Sequence, residues 1–318
     1  MSNRPRVLVL MTTYNGQAFV HDQLKSIFNQ RGVDVTLRVC DDCSTDNTFR
    51  ILETWAAKHD NMQVLRNSEN KGVVRNVMDL VYSAPADEYD FFAIADQDDV
   101  WHPNKLLEAS RRIFSNTSRP ELYYADVRNI DERGRTIGFE YRPYKVCAEH
   151  PASLLLVQNW CLGCTLLMNG ALVKLLRQHP VYDFGRMYDA WIHAVALFCG
   201  GFVYPDLDHH YVNRRITGHN TVGIMNEERS TGYLVKKGTH WLFLGEPEVS
   251  KKHTEFAAAL LREYKDDMLP ETARLVEDVA LRQVSFKSRW RLFRRKDIVM
   301  PTKTRTRWLR WMVLLKRF

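Results

Sequence analysis

Five consecutive apolar residues, Val7 to Met11, run directly into the polar stretch Thr12-Thr13-Tyr14-Asn15-Gly16. An apolar run without alternation is the pattern of a strand covered on both faces, and the polar stretch closes it as a loop. Phe19, Leu24, Ile27 and Phe28 then recur at near-helical spacing. The alternation repeats down the chain. Residues Asp34–Cys40 read as a second strand, and 41–48 as a polar loop in which Ser44 or Asp46 can cap a helix. Phe49, Leu52, Trp55 and Ala56 form the next helical stripe. Met62–Arg66 predicts a third strand, Gly72–Tyr82 a helix and Asp90–Ala95 a fourth strand. Strands alternating with helices imply an α/β fold with a mainly parallel sheet and right-handed crossovers. Functional residues then gather at the carboxyl ends of the strands, where the loops opening at Thr12, Asp41 and Asp96 lie.

Past Trp101 the pattern loosens. Glu121–Val127 reads as a strand, and Arg128–Lys145 as polar and irregular. Gly163–Met168 predicts a strand, Ala171–Gln178 and Met187–Cys199 helices, and Gly201–Asn213 a strand broken near Pro205. From about Glu246 onward the reading is helical.

Composition narrows the class. The chain has 318 residues, 45% hydrophobic and 26% charged, which excludes a disordered chain or a collagen-like fibre. Six cysteines are too few for a disulfide framework. The two C-x-x-C pairs, Cys40/Cys43 and Cys161/Cys164, fall inside stretches better explained otherwise, so they read as reduced thiols rather than a zinc site. No apolar run approaches the ~20 residues of a spanning helix, and no signal-peptide pattern is visible. The expected location is the cytoplasm, on the inner face of the cell membrane.

The net charge of +7 is unevenly spread: Lys287–Phe318 carries +11 and the rest −4. A slightly acidic body argues against a general nucleic-acid binder. In the tail Trp290, Phe293, Trp308, Trp311 and Phe318 alternate with Lys and Arg, and Trp308, Trp311, Met312 and Leu315 share one helical face. That pattern fits a helix lying on an anionic leaflet. A helix docked on the body, or a contact between copies, is the alternative.

Three carboxylates crowd into Asp96-Gln97-Asp98-Asp99, directly after a buried strand. Such crowding is unfavourable unless something positive sits there, and oxygen ligands suit Mg²⁺ or Mn²⁺. Asp41-Asp42 also ends a strand, where a carboxylate can accept a hydrogen bond from a pyrimidine ring N–H or simply cap the next helix. Asn70–Asn76 opens a helix whose free N–H groups suit a phosphate. No G-x-G-x-x-G or Walker lysine motif is present.

Taken in order, Thr13–Gly16, Asp41–Thr48, Asn70-Lys71-Gly72 with Asn76, Ala95–Trp101, Gln158-Asn159, Gly163-Cys164-Thr165, Tyr188–Trp191 and Arg215 with Gly218–Gly223 resemble glycosyltransferase family 2, most closely its bacterial rhamnosyltransferase-type branch. The resemblance covers roughly the first 225 residues. It implies a nucleotide-diphosphosugar transferase (GT-A) fold over residues 1–240, with a donor half (1–101) and an acceptor half (102–240), and a helical extension over 241–318. Thr12, Tyr14, Asp41 and Asp42 would hold the nucleoside. Asn70, Asn76, Asp96 and Gln97 would line the donor site, and Asp98, with Asp96, would hold Mn²⁺ or Mg²⁺. Asp189 would be the general base, or else cap its helix. Trp101, Asn159, Gly163, Cys164, Thr165, Trp191 and Arg215 would lie on the acceptor side. The branch's Arg-x-His-Gly-x-Asn reads Arg215-Ile-Thr-Gly-His-Asn220 here, leaving His219 or water as the third metal ligand. The implied reaction is inverting transfer of L-rhamnose from dTDP-rhamnose to a glycan or lipid-linked acceptor of cell-wall or surface polysaccharide. The alternatives are a UDP-hexose or UDP-N-acetylhexosamine donor, or a non-catalytic membrane-surface scaffold.

Overall fold

The computed structural model describes residues 4–139, 151–156, 159–217 and 247–317. In chain order the elements are β1 (Arg6–Thr13), α1 (Val20–Phe28), β2 (Asp34–Asp41), α2 (Thr48–Ala56), β3 (Met62–Arg66), α3 (Val73–Tyr82), β4 (Phe91–Ala95), β5 (Val100–Trp101), α4 (Lys105–Ser110), β6 (Glu121–Ile130), β7 (Thr136–Phe139), α5 (Pro151–Leu156), β8 (Leu167–Asn169), α6 (Gly170–Gln178), α7 (Tyr188–Phe198), β9 (Phe202–Arg215), α8 (Pro247–Tyr264), α9 (Pro270–Leu281), α10 (Phe286–Arg294) and α11 (Lys303–Leu314). The chain divides into two compact units. One comprises residues 1–140, 161–182 and 201–223; the other comprises 141–160, 183–200 and 224–318.

The first unit contains the whole sheet, in the order β3-β2-β1-β4-β8-β6-β9-β5, with β7 paired to β6. From β3 to β4 every ladder is parallel, as the strand–helix alternation predicts. Beyond β4 the sheet is mixed: β8 runs antiparallel to β4 and β6, while β6 and β9 are parallel. Val7–Met11 and Phe92–Ala95 are completely or almost completely excluded from solvent. Burying each large apolar side chain here contributes roughly 1.5–3 kcal/mol.

One local feature departs from the sequence pattern, and another, the break expected near Pro205, follows it. The stretch read as irregular from Arg128 contains the end of β6 and all of β7, joined by a tight turn. Asp131 organises that turn by accepting from the Arg133 and Arg135 N–H groups. Its polar residues conceal a hairpin too short to show periodicity. In β9 the register against β6 jumps from Ala125↔Asp206 to Asp126↔His210, so Leu207, Asp208 and His209 bulge out just after Pro205.

The second unit is helical among its described residues. Nearly all of α7 is buried, and Trp191 stacks on Phe184 at 4.6 Å and meets Phe256 and Tyr264 edge-on at 5.8 Å. α11 buries Leu309, Met312 and Val313. The C-terminal helix is thus docked through one stripe, with Met312 turned inward, away from exposed Trp308, Trp311 and Leu315. The face expected from spacing alone splits because α11 is held by its neighbours.

Candidate active site

Strand register gathers the loops. Thr12 and Thr13 lie opposite Cys40 and Asp41, and Met11 lies opposite Ala95. The carboxyl ends of β1, β2 and β4 therefore stand side by side and bring Thr12, Asp41, Asp42 and Asp96 to one edge of the sheet.

The β2 loop is closed upon itself. Asp41 is fully buried and accepts from Thr13 Oγ1 (2.9 Å), Ser44 N (2.9 Å) and Ser44 Oγ (2.6 Å). Asp42, 3% exposed, accepts from Asn67 Nδ2 (2.7 Å) and from the N–H groups of Lys71 (2.9 Å) and Gly72 (2.9 Å). Free N–H groups at the opening of this helix were expected to suit a phosphate; those of Lys71 and Gly72 go to Asp42. Gly72 sits at φ +78° to make this turn, a conformation that side-chain-bearing residues rarely adopt. Asn76 is buried, donates to the Cys40 carbonyl (3.1 Å) and accepts from Asn67 (3.1 Å). Asn70 is exposed and accepts from Gly72 N. Asp46, named as a cap, accepts from Thr48 N at 2.9 Å.

The β1 loop is cross-linked to this frame. Asn15 N donates to Ser44 Oγ (2.9 Å), and Gly16 N donates to Thr48 Oγ1 (2.8 Å). Gln97 pairs with the Tyr14 backbone in both directions, at 2.8 and 3.0 Å. A Cβ at Gly16 would lie 2.2 Å from Gln97 Oε1, so a side chain there would displace the Gln97 amide from this pairing. The Tyr14 ring is exposed and Thr12 half-buried.

The β4 loop is different. Asp96, Asp99 and Cys164 bring ligand atoms within 4.8 Å of one another. Burial, reinforced by Asp96, pushes the Asp98 carboxyl up to about 6. Burial, with Asp98 and Asp96 beside it, holds Asp99 well above the usual carboxylate range, and its Oδ2 is buried without a hydrogen bond. The Cys164 thiol is raised likewise, by burial and then by Asp99, and so stays neutral. The available donors are carboxylate oxygens, which fit a hard divalent ion better than a thiophilic one. Asp96 and Asp98 are half-buried, and so accessible.

Arg215 fixes this loop in place. Its N–H donates to Asp99 Oδ1 (3.2 Å), its Nε to the Asp98 carbonyl (3.0 Å) and its Nη1 to the Glu132 carbonyl (2.9 Å). The guanidinium also lies 4.6 Å over the Phe19 ring. Trp101, expected to face the acceptor, is buried beneath the Lys105 ammonium at 3.5 Å. Burial pushes Lys105 down to about 7. Gly163 and Thr165 are buried with Cys164 in a short 3₁₀ turn.

Asn159, Asp189 and Trp191 belong to the second unit. Asn159 contacts His193 Nδ1 (3.2 Å). Trp191 is wholly buried. Met187, not Asp189, occupies the N-cap of α7; Asp189 is half-buried in the first turn and accepts from Ala190 N (2.6 Å). His219 lies outside the described residues, as do Gln158 and Gly218–Gly223.

Sequence reasoning assigned no role to Asp99, Arg214, Lys105 or Asn67. Asp99 was legible as the third acid of its run. Arg214 and Lys105, which lie near that acid, carry no local motif; Arg214 lowers both the Asp98 and Asp99 carboxyls.

Residues 8–132 match the family model Glycosyl transferase family 2. Over that stretch the chain is similar to glycosyl transferase family 2. The dTDP-rhamnosyl transferase RfbG of Shigella flexneri is 33% identical over 140 residues, 41% of this chain and 48% of that protein. The UDP-Glc:alpha-D-GlcNAc-diphosphoundecaprenol beta-1,3-glucosyltransferase WfgD of Escherichia coli is 28% identical over 173 residues, 53% of this chain and 62% of that protein. The chain thus spans about half the length of these curated relatives. Among solved structures, S. aureus TarS 1-349 in complex with UDP superposes with a TM-score of 0.55 at 18% identity, covering 98% of this chain and 88% of that one. The parallel half of the sheet explains why the three loops converge, because it places their strand ends in one row.

Proposed function

We propose that the chain is a divalent-cation-dependent, inverting glycosyltransferase that moves a sugar from a nucleoside-diphosphate donor to a glycan or lipid-linked acceptor in surface-polysaccharide synthesis. The observation that carries this reading is the β4 loop, where Asp96, Asp98 and Asp99 concentrate acid at the edge that also presents Thr12 and Tyr14. Asp98 and Asp96 would hold Mn²⁺ or Mg²⁺. The bound ion supplies Lewis-acid stabilisation of the diphosphate leaving group, so no protein acid is needed there. Thr12 and Tyr14 border the nucleoside. Asp42 supports that surface by fixing the turn at Lys71-Gly72. Asp189 takes the proton from the acceptor hydroxyl as the anomeric carbon is attacked from behind.

A UDP-hexose or UDP-N-acetylhexosamine donor is the reading we favour, supported by the WfgD similarity over more than half of this chain. dTDP-L-rhamnose is the second, supported by RfbG over a shorter stretch. The work would take place in the cytoplasm, against the inner face of the cell membrane.

The test is a donor panel of UDP-glucose, UDP-N-acetylglucosamine and dTDP-rhamnose with purified protein, analysed by mass spectrometry. Release of nucleoside diphosphate should require Mn²⁺ or Mg²⁺, stop with EDTA and favour one donor. Metal-independent release, or none from any donor together with no nucleotide binding by calorimetry, refutes the reading.

A further inference from the structure

α10 and α11 pack inward through Ser288 and Leu292, and through Leu309, Met312 and Val313. Their outer sides carry a continuous aromatic row. Phe286 stacks on Trp290 at 6.4 Å between ring centres, Trp290 on Phe293 at 5.7 Å, and Phe293 meets Trp311 edge-on at 5.0 Å. Trp308 and Leu315 extend the row along α11, one turn to either side of Trp311. Phe286 is 62% exposed, Trp311 50%, Trp290 44% and Trp308 42%. A contiguous exposed patch of this kind marks an interaction surface.

The charge around it is mainly positive. Lys287, Arg294, Arg307, Lys316 and Arg317 are exposed and form no ion pair among the described residues. Asp278 is taken by Arg291 and Asp297 by Arg295, while exposed Glu277 lies within electrostatic reach of Arg291. No helix among the described residues is long and apolar enough to cross a membrane.

We infer that the α10–α11 ridge is a membrane-docking face that seats its Trp and Phe rings at the headgroup level of an anionic bilayer. Indole rings favour that depth, where an apolar body meets a polar edge. Unpaired cations beside them add attraction to anionic lipid, falling off within a Debye length. An aromatic row with a mainly cationic rim complements a negatively charged plane. The inference rests on these helix faces alone, independent of the catalytic reading.

The full chain should co-sediment with vesicles of mixed phosphatidylglycerol and phosphatidylcholine. It should stay in solution with pure phosphatidylcholine, and binding should weaken roughly tenfold or more in high salt. Bromine-labelled anionic vesicles should quench wild-type tryptophan fluorescence, a readout that needs no variant. W290A/W308A/W311A should lower partitioning by roughly tenfold or more with an unchanged melting curve and unchanged donor hydrolysis. K287E/R294E/R307E should abolish the preference for anionic lipid. Absence of quenching, or a triple-tryptophan variant that binds as wild type does, overturns the inference. So does a concentration-dependent dimer that the tryptophan substitutions break while vesicles leave the protein in solution, because a second copy is then the occupant.

Discussion

Two acidic loops end neighbouring strands of the same sheet, and they use their charge in opposite ways. At the end of β2, Asp41 and Asp42 are buried, and each carboxylate is occupied by hydroxyl, amide or backbone N–H donors. At the end of β4, Asp98 and Asp99 are held in their raised, proton-favouring state, and an oxygen of Asp99 has no partner. The first loop spends its negative charge on architecture. The second holds negative charge in reserve, so that an incoming cation gains more than it would from solvated acids. Equal acidity in sequence thus hides unequal availability in space.

Substitution at each loop should separate these roles. The largest effect is expected for Asp98→Ala, which should lower metal-dependent donor turnover by a factor of ~10³ or more without lowering the unfolding midpoint of the metal-free protein; steady-state release of nucleoside diphosphate checks it. Asp41→Ala should act the other way. It strands Thr13 and Ser44 donors in a buried site and should cost about 4 kcal/mol in urea unfolding.

The pH dependence sharpens the contrast. Because the folded Asp98 carboxyl titrates near 6, above its unfolded value, the native state binds more protons between about 4 and 6. Metal-free protein should therefore lose stability from this group as pH rises through that window, and Asp98→Asn should flatten the slope. His193 and His253 in the helical unit are lowered to about 3 by burial, with Arg186 adding to it, and so pull the opposite way. Their stabilising contribution is complete above about 6.5 and drains away on acidification, at up to ~1.4 kcal/mol per pH unit each. Thermal melts of wild type, Asp98→Asn and His193→Gln across pH 4–8 would resolve the two slopes. The smallest effect is expected for Gln97→Ala, which frees the Tyr14 backbone and should raise donor KM severalfold with little change in kcat.

The parallel half of the fold was legible because each strand there is a short apolar run closed by turn residues. Asp96 and Asp98 stood out because acids seldom crowd at the end of such a run. The hairpin after Asn129 was hidden, since a four-residue strand with a polar turn has no measurable period. Arg215's grip on the Asp98 loop was invisible for another reason: the two are 117 residues apart, and only tertiary pairing joins them. Trp101 and Trp191 read as ligand-facing aromatics, yet their rings are buried, because motif spacing says nothing about which way an indole turns.

The sheet partner of β5 is β9, and Arg215 at the far end of β9 clamps the adjoining turn. A ribosome must therefore add more than a hundred further residues before the acids made early in synthesis acquire their final arrangement. A gene fragment ending after Trp101 would encode the parallel strands yet lack the piece that locks their last corner. Trimming this protein to a minimal module should accordingly fail unless residues 202–215 are supplied, in cis or as a complementing peptide.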